Sequence, residues 1–597
     1  MIPFTVLDDT LHYLISTPDG RTRPTAVSDT PENRWYLNFA HRAPLAHQVR
    51  DVIRFRDAPY FALFYEQRAR KTKVALEIFR YRFTKGDVDA LIVVAYPNGV
   101  HRVWLDEVEK DFPEDFLATT KTLAWVSGKT DSKGQRDNAL ALRDHRGPLV
   151  ATFNSEAVAR SAHAYDYLVW LMKTRKTMLV ADESAFMANF TAITRKMEAL
   201  SRSTKERRGP VVKAILDGTP VEEGAGEIYH PTQFLSKGLL GYSTKVAFKA
   251  RYFEYEEEDV EELAPVLDAG GRPEFDADGM ALMAKTGRVF RQRVKRQRHG
   301  PGGKIMSEYE VFKGYRNLDE LYRNLQAFSS RVRRVDVSDA PEKTYQTRYF
   351  DLTSVQRKVY NDLRDRYVAE LDGGGRITAA NVLLRMTRLQ MVARNYYPPE
   401  KVGEVCPACD GVGFTGETED CPTCDGIGIV VRVTDLKRID TVNLAVEAVK
   451  AELIASRQPA LIWCRFRQDV ADVLDATREL GLTFFRYDGG VPEAQREADY
   501  RRFRDGEGDG IVATERSGLQ RGHDCSRANL SIYYSNEYGL RHRRQSEDRT
   551  EGLDNLVSTQ VVDLVAADTR DIVAIEALRA KRSIAEIIMG DPPSRWI

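Results

Sequence analysis

The sequence predicts an α/β protein with two lobes, each built on a parallel β-sheet. A chain of 597 residues is too long for a single hydrophobic core, so several domains are expected. Two separate series of short apolar segments alternate with helical patterns, which is typical of parallel strands that helices cover on both faces. The first series lies within residues 40–235 and the second within residues 346–590. Each series therefore predicts one lobe.

The segments interpreted as strands are nearly continuous runs of apolar residues. In the first lobe they are Tyr60–Tyr65, Leu91–Ala95, Leu149–Phe153, Met178–Ala181 and Ala214–Leu216. In the second lobe they are Ala460–Cys464, Thr483–Tyr487, Gly510–Ala513, Asn529–Tyr534 and Gln560–Val565.

Three further segments lie outside the predicted sheets. Residues 1–39 form an N-terminal extension without a motif that we can interpret. Residues 236–345 contain an acidic patch followed by the basic run RVFRQRVKRQRHGPGGK, and we expect a mainly helical, basic insertion there. Residues 403–430 contain four clustered cysteines, which predict a small zinc-binding insertion in the second lobe.

The overall charge limits how the protein can bind nucleic acid. Lys and Arg total 88, and Asp and Glu also total 88, so any surface that attracts a polyanion must be local. The first ten residues contain acids and no basic stretch, so we expect no signal peptide. We also find no run of about 18 apolar residues, and therefore expect a cytoplasmic protein without a membrane span.

A strand, a tight turn and a Lys-Thr pair that opens a helix predict a phosphate-binding loop. The helix N-terminus offers unpaired N–H groups, and Lys71 adds a positive charge for the β- and γ-phosphates. Thr72 offers its hydroxyl to Mg²⁺. Arg68 and Arg70 stand where such loops usually have glycines. Taken alone, the pattern is more often a charged helix start.

Acidic residues at later strand ends supply the partners that such a loop needs. Asp182 and Glu183 follow a predicted buried strand, at the edge where parallel sheets bind ligands. Asp182 is suited to hold Mg²⁺ through water, and Glu183 to take a proton from the attacking water. The turn DGTP at 217–220 is placed to sense the nucleotide, and Gln48 offers an amide to the adenine edge. An acidic strand end that faces solvent is the alternative for the isolated pair.

The order of these motifs resembles that of superfamily-two helicases, and most of all the Swi/Snf-type ATPases. PLAHQ, RARKT, VAYPNGV, TFNSEA, DESA and DGTPV resemble motifs Q, I, Ia, Ib, II and III. PALIWCRF, ATERSGLQRGHDCSRA and RRQSEDRTEG resemble motifs IV, V and VI. The resemblance covers residues 40–590 in the family's order. It implies two RecA-like lobes that hydrolyse ATP between them while they grip DNA.

The resemblance also implies a role for each matching residue. These roles are adenine reading by Gln48, phosphate and Mg²⁺ binding by Lys71 and Thr72, Mg²⁺ binding and general base catalysis by Asp182 and Glu183, and γ-phosphate contact from the second lobe by Gln545 and Arg549. Two departures stand out. Gly552 replaces a second motif VI arginine, and Arg68 and Arg70 either distort the loop or add a phosphate contact.

The cysteine cluster predicts a structural zinc site. Its four members form two CxxC knuckles separated by 11 residues: Cys406, Cys409, Cys421 and Cys424. This arrangement suits tetrahedral zinc, and four thiolates leave no open position for catalysis. The repeated CxxCxGxG resembles one zinc module of the DnaJ chaperone. Thiols without metal are the alternative, and the zinc either holds the insertion together or touches DNA.

The expected contacts with nucleic acid are mainly to phosphates, because a moving protein needs sequence-tolerant contacts. The resemblance implies such contacts for Asn98, Asn154, Arg516, Ser517 and Arg521. The basic run contributes four further candidates, for which a solvated helix face is the alternative: Arg291, Arg293, Lys295 and Arg296.

Taken together, the sequence predicts an ATP-dependent DNA translocase with ATP, Mg²⁺ and Zn²⁺ as ligands. It would act on duplex or branched DNA in replication, recombination or repair, with proteins of those pathways as partners and RNA as an alternative track. A small chain without a chromatin-reading module suggests a bacterial or phage-infected cell. The competing hypothesis is a nucleic-acid-binding clamp with a degenerate ATPase fold. A zinc-dependent nuclease or chaperone is disfavoured, because we find no nuclease carboxylate cluster.

Overall fold

The computed structural model describes residues 2–589 apart from 17–21, 68, 97–99, 126–136, 141, 206–207, 219, 266–282, 300–304, 338–340, 373–378, 399–400, 406–413, 416–418, 421–428, 434–436, 515–516, 518, 520–522, 538 and 551–556.

The N-terminal extension forms an antiparallel three-stranded sheet. The first strands are β1 (Phe4–Leu7), β2 (Thr10–Ser16) and β3 (Thr22–Ser28), with β2 in the centre. Buried and exposed residues alternate along β2, because one face packs on the protein. Tyr13 Oη donates to the carbonyl oxygen of Pro44 at 2.8 Å, which fastens the sheet to lobe one.

Lobe one alternates strands with helices, as the apolar segments predicted. Its first six strands are β4 (Tyr60–Tyr65), β5 (Ala90–Ala95), β6 (Lys121–Trp125), β7 (Leu149–Asn154), β8 (Thr177–Asp182) and β9 (Val212–Leu216). Its helices are α1 (Pro31–Phe39), α2 (Ala46–Phe55), α3 (Lys71–Thr84), α4 (Val100–Asp111), α5 (Glu114–Thr119), α6 (Ser155–Arg160), α7 (Ala162–Thr174), α8 (Ala192–Leu200) and α9 (Tyr229–Leu235).

The segment 236–345 is largely β-structure, so the expectation of a mainly helical insertion was wrong. Its elements are α10 (Lys245–Tyr252), β10 (Phe253–Tyr255), β11 (Glu257–Pro265), β12 (Met283–Arg293), β13 (Lys295–His299), β14 (Ile305–Glu310), β15 (Phe312–Tyr315), α11 (Leu318–Gln326) and β16 (Ser329–Val332). The basic run carries Val289, Phe290 and Val294, which are residue types favoured in strands. Its antiparallel partner is the acidic strand β11, and opposite charges on facing strands stabilise this pairing.

β16 lies near the end of the inserted segment and is the seventh strand of the lobe-one sheet. The seven strands have the order β16-β4-β9-β8-β5-β7-β6, and every neighbouring pair is parallel. Each face of the sheet carries its own hydrophobic core, and β5 is buried along its whole length. Burial on both faces explains why the strands read as continuous apolar runs.

Lobe two contains a second parallel sheet and the cysteine-bearing segment. Its strands are β17 (Thr344–Phe350), β18 (Lys401–Val405), β19 (Phe414–Thr415), β20 (Glu419–Asp420), β21 (Ile429–Val433), β22 (Ala460–Cys464), β23 (Phe484–Tyr487), β24 (Gly510–Thr514), β25 (Leu530–Tyr533) and β26 (Gln560–Ala566). Its helices are α12 (Ser354–Asp372), α13 (Ala379–Ala393), α14 (Leu444–Ser456), α15 (Arg467–Glu479), α16 (Glu493–Arg504), α17 (Leu540–Glu547) and α18 (Arg570–Met589).

The main sheet of lobe two has six strands in the order β17-β26-β25-β22-β24-β23, again all parallel. Hydrophobic cores lie on both of its faces. The pairs β18–β21 and β19–β20 are separate antiparallel ribbons. Two parallel sheets covered by helices confirm the predicted two-lobed α/β fold.

In the part of the chain that the structure describes, the two lobes touch through charged side chains and through helix α18. Arg541 of α17 pairs with Glu222 of lobe one, and Lys581 Nζ of α18 lies 2.5 Å from Glu223 Oε2. α18 also packs on α11, which precedes β16. A cavity of about 430 Å³ between the lobes is lined by residues of both, including Glu222 and Arg541. Within the part of the chain that the structure describes, no helix is long and apolar enough to cross a membrane.

Candidate functional site

The carboxyl ends of β4, β8 and β9 bring together the residues predicted to handle a nucleotide. Lys71, the first residue of α3, places Nζ 2.8 Å from Glu183 Oε1. Gln67 Nε2 donates to the same oxygen at 3.1 Å. Asp182, the last residue of β8, accepts a hydrogen bond from Trp104 Nε1 at 2.8 Å. The predicted phosphate-binding and carboxylate groups therefore share one site, as expected for the carboxyl edge of a parallel sheet.

The loop before Lys71 turns through a left-handed residue. Arg70 has φ 58° and ψ 47° directly before the first residue of α3, where a glycine would be unstrained. Two side chains of α2 contact this turn. His47 Nε2 lies 3.0 Å from the carbonyl oxygen of Ala69, and Gln48 Nε2 donates to the carbonyl oxygen of Arg70 at 3.1 Å. Arg68 lies outside the described residues. The loop keeps its turn without glycine because its carbonyls are tied to α2.

Gln48 lies beside the loop and is fully buried. Its Oε1 accepts a hydrogen bond from Leu45 N at 2.8 Å, which caps the start of α2, while its Nε2 is engaged with Arg70. Both ends of the amide are thus used within the protein in this conformation. The geometry supports a role in holding the loop, and a contact with adenine would require the amide to exchange one of these partners.

Burial and charge set the ionisation of the two carboxylates differently. Burial raises the pKa of Asp182 to about 6. Burial alone would also raise the pKa of Glu183, but the charge of Lys71 and the hydrogen bonds from Lys71 and Gln67 hold it below its ordinary value. The pKa of Lys71 is raised because Glu183 and Asp182 outweigh the effect of its burial. Glu183 is therefore ionised and neutralised by Lys71.

Glu183 also has a left-handed backbone, with φ 53° and ψ 58°. Such conformations cost about 1–3 kcal/mol for a residue other than glycine and concentrate at functional sites. Its N–H donates to Asp182 Oδ1 at 3.1 Å, so the turn links the two carboxylates. Nearby, Asp217 accepts hydrogen bonds from Ser184 Oγ at 2.8 Å and Ala185 N at 3.0 Å. The turn after β8 is thereby tied to the end of β9, where the nucleotide-sensing turn was predicted.

The residues at this edge fit a magnesium–nucleotide complex. Thr72 and Asp182 supply a hydroxyl and a carboxylate, which are the hard oxygen ligands that Mg²⁺ prefers. Within the described residues no group of three or more His, Cys, Asp or Glu side chains could hold a metal by itself. Mg²⁺ usually binds through one or two protein ligands, water and substrate phosphates, so this small ligand set is the one expected.

The predicted second-lobe residues Gln545 and Arg549 lie on and just after α17. Arg549 is 4% exposed, and its guanidinium donates to the carbonyl oxygens of Gln545 and His523, both at 3.1 Å. These partners belong to lobe two. Earlier on the same helix, Arg541 crosses to Glu222 of lobe one. Arg541 was missed at the sequence level, although it lies only two residues before the motif VI segment RRQSEDRTEG.

Of the nucleic-acid contacts that the resemblance implies, the structure describes Asn154 and Ser517. Asn154 ends β7, is 3% exposed and accepts a hydrogen bond from His101 Nε2. The carbonyl oxygen of Ser517 accepts from Arg496 Nη1 at 2.9 Å. Asn98, Arg516 and Arg521 lie outside the described residues.

The basic run faces acidic neighbours. Arg291 is opposite Asp259 in the β11–β12 register, with Nε and Oδ1 3.7 Å apart, and Arg293 Nη1 lies 2.7 Å from Glu310 Oε2. Lys295 and Arg296 follow in β13, and their side chains lie outside the described residues. Because carboxylates neutralise the first two arginines, their attraction for phosphates is reduced.

The four cysteines of the predicted zinc site, Cys406, Cys409, Cys421 and Cys424, also lie outside the described residues. The described segments around them are the antiparallel pairs β18–β21 and β19–β20. β18 ends at Val405, directly before the first knuckle, and β19 and β20 lie between the two knuckles. The zinc site stays a prediction.

The two parallel-sheet lobes form the RecA-like fold that the sequence predicted, and the predicted phosphate-binding loop lies at the carboxyl edge of the lobe-one sheet. Comparison with known families finds a match in the second lobe. Residues 444–551 match the helicase conserved C-terminal domain, and they run from α14 to just beyond α17. This match confirms the resemblance to helicases for residues 444–551 of the second lobe. Among solved structures, the chain is similar to the Sulfolobus solfataricus SWI2/SNF2 ATPase core in complex with dsDNA, with 15% identity, 91% of this chain and 92% of that chain covered, and a TM-score of 0.33. A comparison with curated proteins found no match.

Proposed function

We propose that the protein is an ATP-dependent DNA translocase of Swi/Snf type that hydrolyses ATP in the cleft between its lobes. The observation that carries this proposal is the meeting of Lys71, Asp182 and Glu183 at one sheet edge, facing a lobe that matches the helicase C-terminal domain. We infer that the protein moves on duplex or branched DNA in replication, recombination or repair.

The ion pair between Lys71 and Glu183 suggests how the site responds to its substrate. A bound triphosphate offers Lys71 a stronger anionic partner than a single carboxylate. When Lys71 turns to the phosphates, Glu183 loses its main neutralising partner and becomes available to accept a proton from water. Mg²⁺, held by Thr72 and Asp182, would neutralise charge that develops on the phosphates. Substrate binding and activation of the base are thereby coupled.

An ATPase assay with single-stranded, duplex and branched nucleic acids tests the proposal. We expect DNA-stimulated turnover that Lys71→Ala and Glu183→Gln each reduce by about 100-fold or more. Matched controls are Lys85→Ala, at the other end of α3, and Glu447→Gln on the exposed side of α14. Both controls should retain full turnover. Absence of DNA-stimulated turnover in the unmodified protein refutes the proposal.

A second candidate is a nucleic-acid-binding clamp that binds without turnover. Two observations favour it: Arg70 replaces a loop glycine in a left-handed position, and Arg549 is engaged within its own lobe. The same assay separates the candidates, provided that DNA binding is measured in parallel. Tight DNA binding with no hydrolysis, unaffected by Glu183→Gln, would support the clamp.

We further propose one structural zinc ion at the four cysteines. Metal analysis of the purified protein should find one zinc per chain, and paired Cys406→Ser and Cys409→Ser substitutions should abolish it. Four thiolates make the site structural, so we expect the ATPase activity to fall only as far as folding of the 403–430 segment affects the lobe. Zinc-free protein with intact thiols would contradict this proposal.

A further inference from the structure

Helix α4 joins two strand ends of the lobe-one sheet. The helix follows β5, which lies between β8 and β7 in the sheet. Side chains three residues apart on a helix lie on the same side, and His101 and Trp104 of α4 have this spacing. His101 contacts the end of β7, and Trp104 contacts the end of β8. One side of the helix therefore contacts both strands that flank β5.

Trp104 holds the carboxylate of Asp182. Its Nε1 donates to Asp182 Oδ2 at 2.8 Å, and the whole indole is buried. The main-chain N–H of Glu183 donates to the other oxygen, Asp182 Oδ1, at 3.1 Å. An indole N–H can only donate, so it favours a carboxylate oxygen at this place. One donor on each oxygen holds the carboxylate in one orientation at the sheet edge.

His101 connects the same helix to β7. Its Nδ1 lies 2.6 Å from Thr152 Oγ1, and its Nε2 donates to Asn154 Oδ1. Thr152 is fully buried, and its hydroxyl also donates to the carbonyl oxygen of Leu123 in β6 at 3.3 Å. Asn154 is the last residue of β7, where a contact with nucleic acid is predicted. The imidazole thus ties the start of α4 to that strand end.

The far end of α4 is fastened to the helix that begins with the phosphate-binding Lys-Thr pair. Asp111, the last residue of α4, lies 3.0 Å from Lys73 Nζ and 2.8 Å from Arg42 Nε. Lys73 and Asp111 are fully buried, and separating such a pair would leave an uncompensated charge. Lys73 directly follows Thr72. Helix α4 therefore contacts the elements that carry both proposed Mg²⁺ ligands, Thr72 and Asp182.

We propose that Trp104 and His101 are positioning residues through which duplex DNA at the end of β7 alters the binding of a magnesium–nucleotide complex at Asp182. The inference rests on the proposed function, and it names the helix that connects the two ligands. Trp104 sets the orientation of Asp182. His101 passes a change at Asn154 to the same helix. Both residues act through a neighbour and not on the reacting atoms.

The role of Trp104 is tested by nucleotide binding to the full chain, without turnover. Titration calorimetry measures the affinity for an ATP analogue with a methylene bridge between the β- and γ-phosphates, once with Mg²⁺ and once with EDTA. Loss of a hydrogen bond that orients a metal ligand lowers metal affinity by about 10- to 100-fold. Trp104→Phe should therefore reduce the gain in affinity from Mg²⁺ by about 10-fold and leave the affinity in EDTA unchanged.

Trp463→Phe is the matched control for this change. Trp463 is also fully buried, and its Nε1 donates to Ser531 Oγ at 3.1 Å in lobe two. This variant loses a similar ring and hydrogen bond, so it should keep the full gain from Mg²⁺. If Trp104→Phe lowers the affinity equally with Mg²⁺ and with EDTA, the indole only supports the lobe, and the inference is overturned.

The role of His101 is tested by repeating the titration with Mg²⁺ in the presence of saturating duplex DNA. The wild-type affinities with and without DNA should differ by about 5-fold or more, the lower range of typical coupling between two sites. His101→Phe keeps a ring and removes both nitrogens, so DNA should no longer change the affinity. His101→Gln should recover part of the effect. His145→Phe is the control, because His145 contacts the carbonyl oxygen of Pro148 at the other end of β7.

The possible results separate the inference from the proposed function. A DNA effect that persists in His101→Phe overturns the inference, as does a wild-type affinity that DNA does not change. Failure of the unmodified protein to bind the analogue refutes the proposed function and the inference together. Thr152→Val removes the hydroxyl beside His101 Nδ1 and suits a buried strand, so it is the second variant if His101→Phe does not fold. It should weaken the DNA effect in the same direction.

Discussion

Gln48 Nε2 donates a hydrogen bond to the carbonyl oxygen of Arg70 at 3.1 Å, so a helix that precedes the sheet holds the turn of the phosphate-binding loop. The other end of the amide accepts from Leu45 N at 2.8 Å. A single buried side chain therefore caps α2 and positions the residue before Lys71. The loop geometry depends on this contact in addition to the loop's own sequence.

Replacing Gln48 with alanine should weaken both folding and nucleotide binding. The change removes one buried acceptor and one donor and leaves two main-chain groups unsatisfied, which costs about 1–3 kcal/mol for each buried group. We expect a lower free energy of unfolding in urea and a higher KM for ATP. Gln495→Ala removes an exposed amide from α16 and is the control. Unchanged KM and unchanged stability in Gln48→Ala would contradict this role.

Replacing Arg70 with glycine should relieve strain in the loop. A left-handed residue other than glycine costs about 1–2 kcal/mol, and the added freedom of the unfolded chain cancels part of the gain. We expect Arg70→Gly to stabilise the protein by up to about 1 kcal/mol and Arg70→Val to destabilise it. Urea unfolding measures both.

Arg457 provides a matched control for this substitution. It caps α14 with φ 53°, is also left-handed, and lies in lobe two away from the loop. Arg457→Gly should give a similar gain in stability without any change in nucleotide affinity. If Arg70→Gly destabilises the protein while Arg457→Gly stabilises it, the arginine side chain contributes a contact that outweighs its backbone strain.

The raised pKa of Asp182 predicts a pH dependence near 6. Binding of Mg²⁺ requires the ionised carboxylate, so hydrolysis should rise with pH through about pH 6. The hydrogen bond from Trp104 favours the ionised form, so Trp104→Phe should move this midpoint to higher pH. A pH–rate profile at a Mg²⁺ concentration well below saturation measures the shift, because saturating Mg²⁺ would displace the proton and hide this ionisation. An identical midpoint in Trp104→Phe would assign the ionisation to another group.

Protonation of Asp182 should stabilise the folded protein, whereas it should reduce hydrolysis. The pKa of Asp182 in the folded protein lies above the value of about 4 that is usual in an unfolded chain. Folding therefore favours the protonated form, and this contribution is present below about pH 4 and lost as the pH rises through about 6. Asp182→Asn should consequently be more stable than the wild type above pH 6, as thermal melts across this range would show.

The pair between Arg541 and Glu222 should restrain the lobes in the absence of nucleotide. Glu222 is 1% exposed, so its charge is poorly screened by solvent. We expect Glu222→Gln to increase the mean distance between fluorophores placed on the two lobes. Glu452→Gln breaks an ion pair with Arg348 inside lobe two and should leave that distance unchanged. Equal distances in both variants would show that packing of α18 on α11 holds the lobes together.

The sheets and the nucleotide edge could be predicted from sequence for a simple geometric reason. Buried parallel strands are apolar throughout, and their carboxyl ends meet, so Lys71, Asp182 and Glu183 were expected to lie together. The strands of the inserted segment were missed because a charge run dominated the interpretation of RVFRQRV. Strand β12 is stabilised by the acidic strand β11, and residues 266–282 separate the two strands in the chain.

The lobe-two arginines could not be assigned from the motif. Arg541 and Arg549 are eight residues apart, but this spacing does not show which guanidinium crosses to lobe one and which finds carbonyl oxygens in its own lobe. That depends on where the carbonyl oxygen of His523 and the carboxylate of Glu222 lie in the folded protein. The left-handed turn at Arg70 was likewise uncertain, because its support comes from Gln48, which lies 22 residues earlier.

The position of β16 has a consequence for how the protein is synthesised. This strand pairs with β4 at one edge of the lobe-one sheet, although the whole inserted segment separates them in the chain. A ribosome must therefore release residue 332 before the lobe can close its sheet. Until then β4 is an unpaired edge that neighbouring nascent chains could join. Stalling within the insertion should expose that edge to chaperones, while stalling beyond it should yield a protease-resistant first lobe.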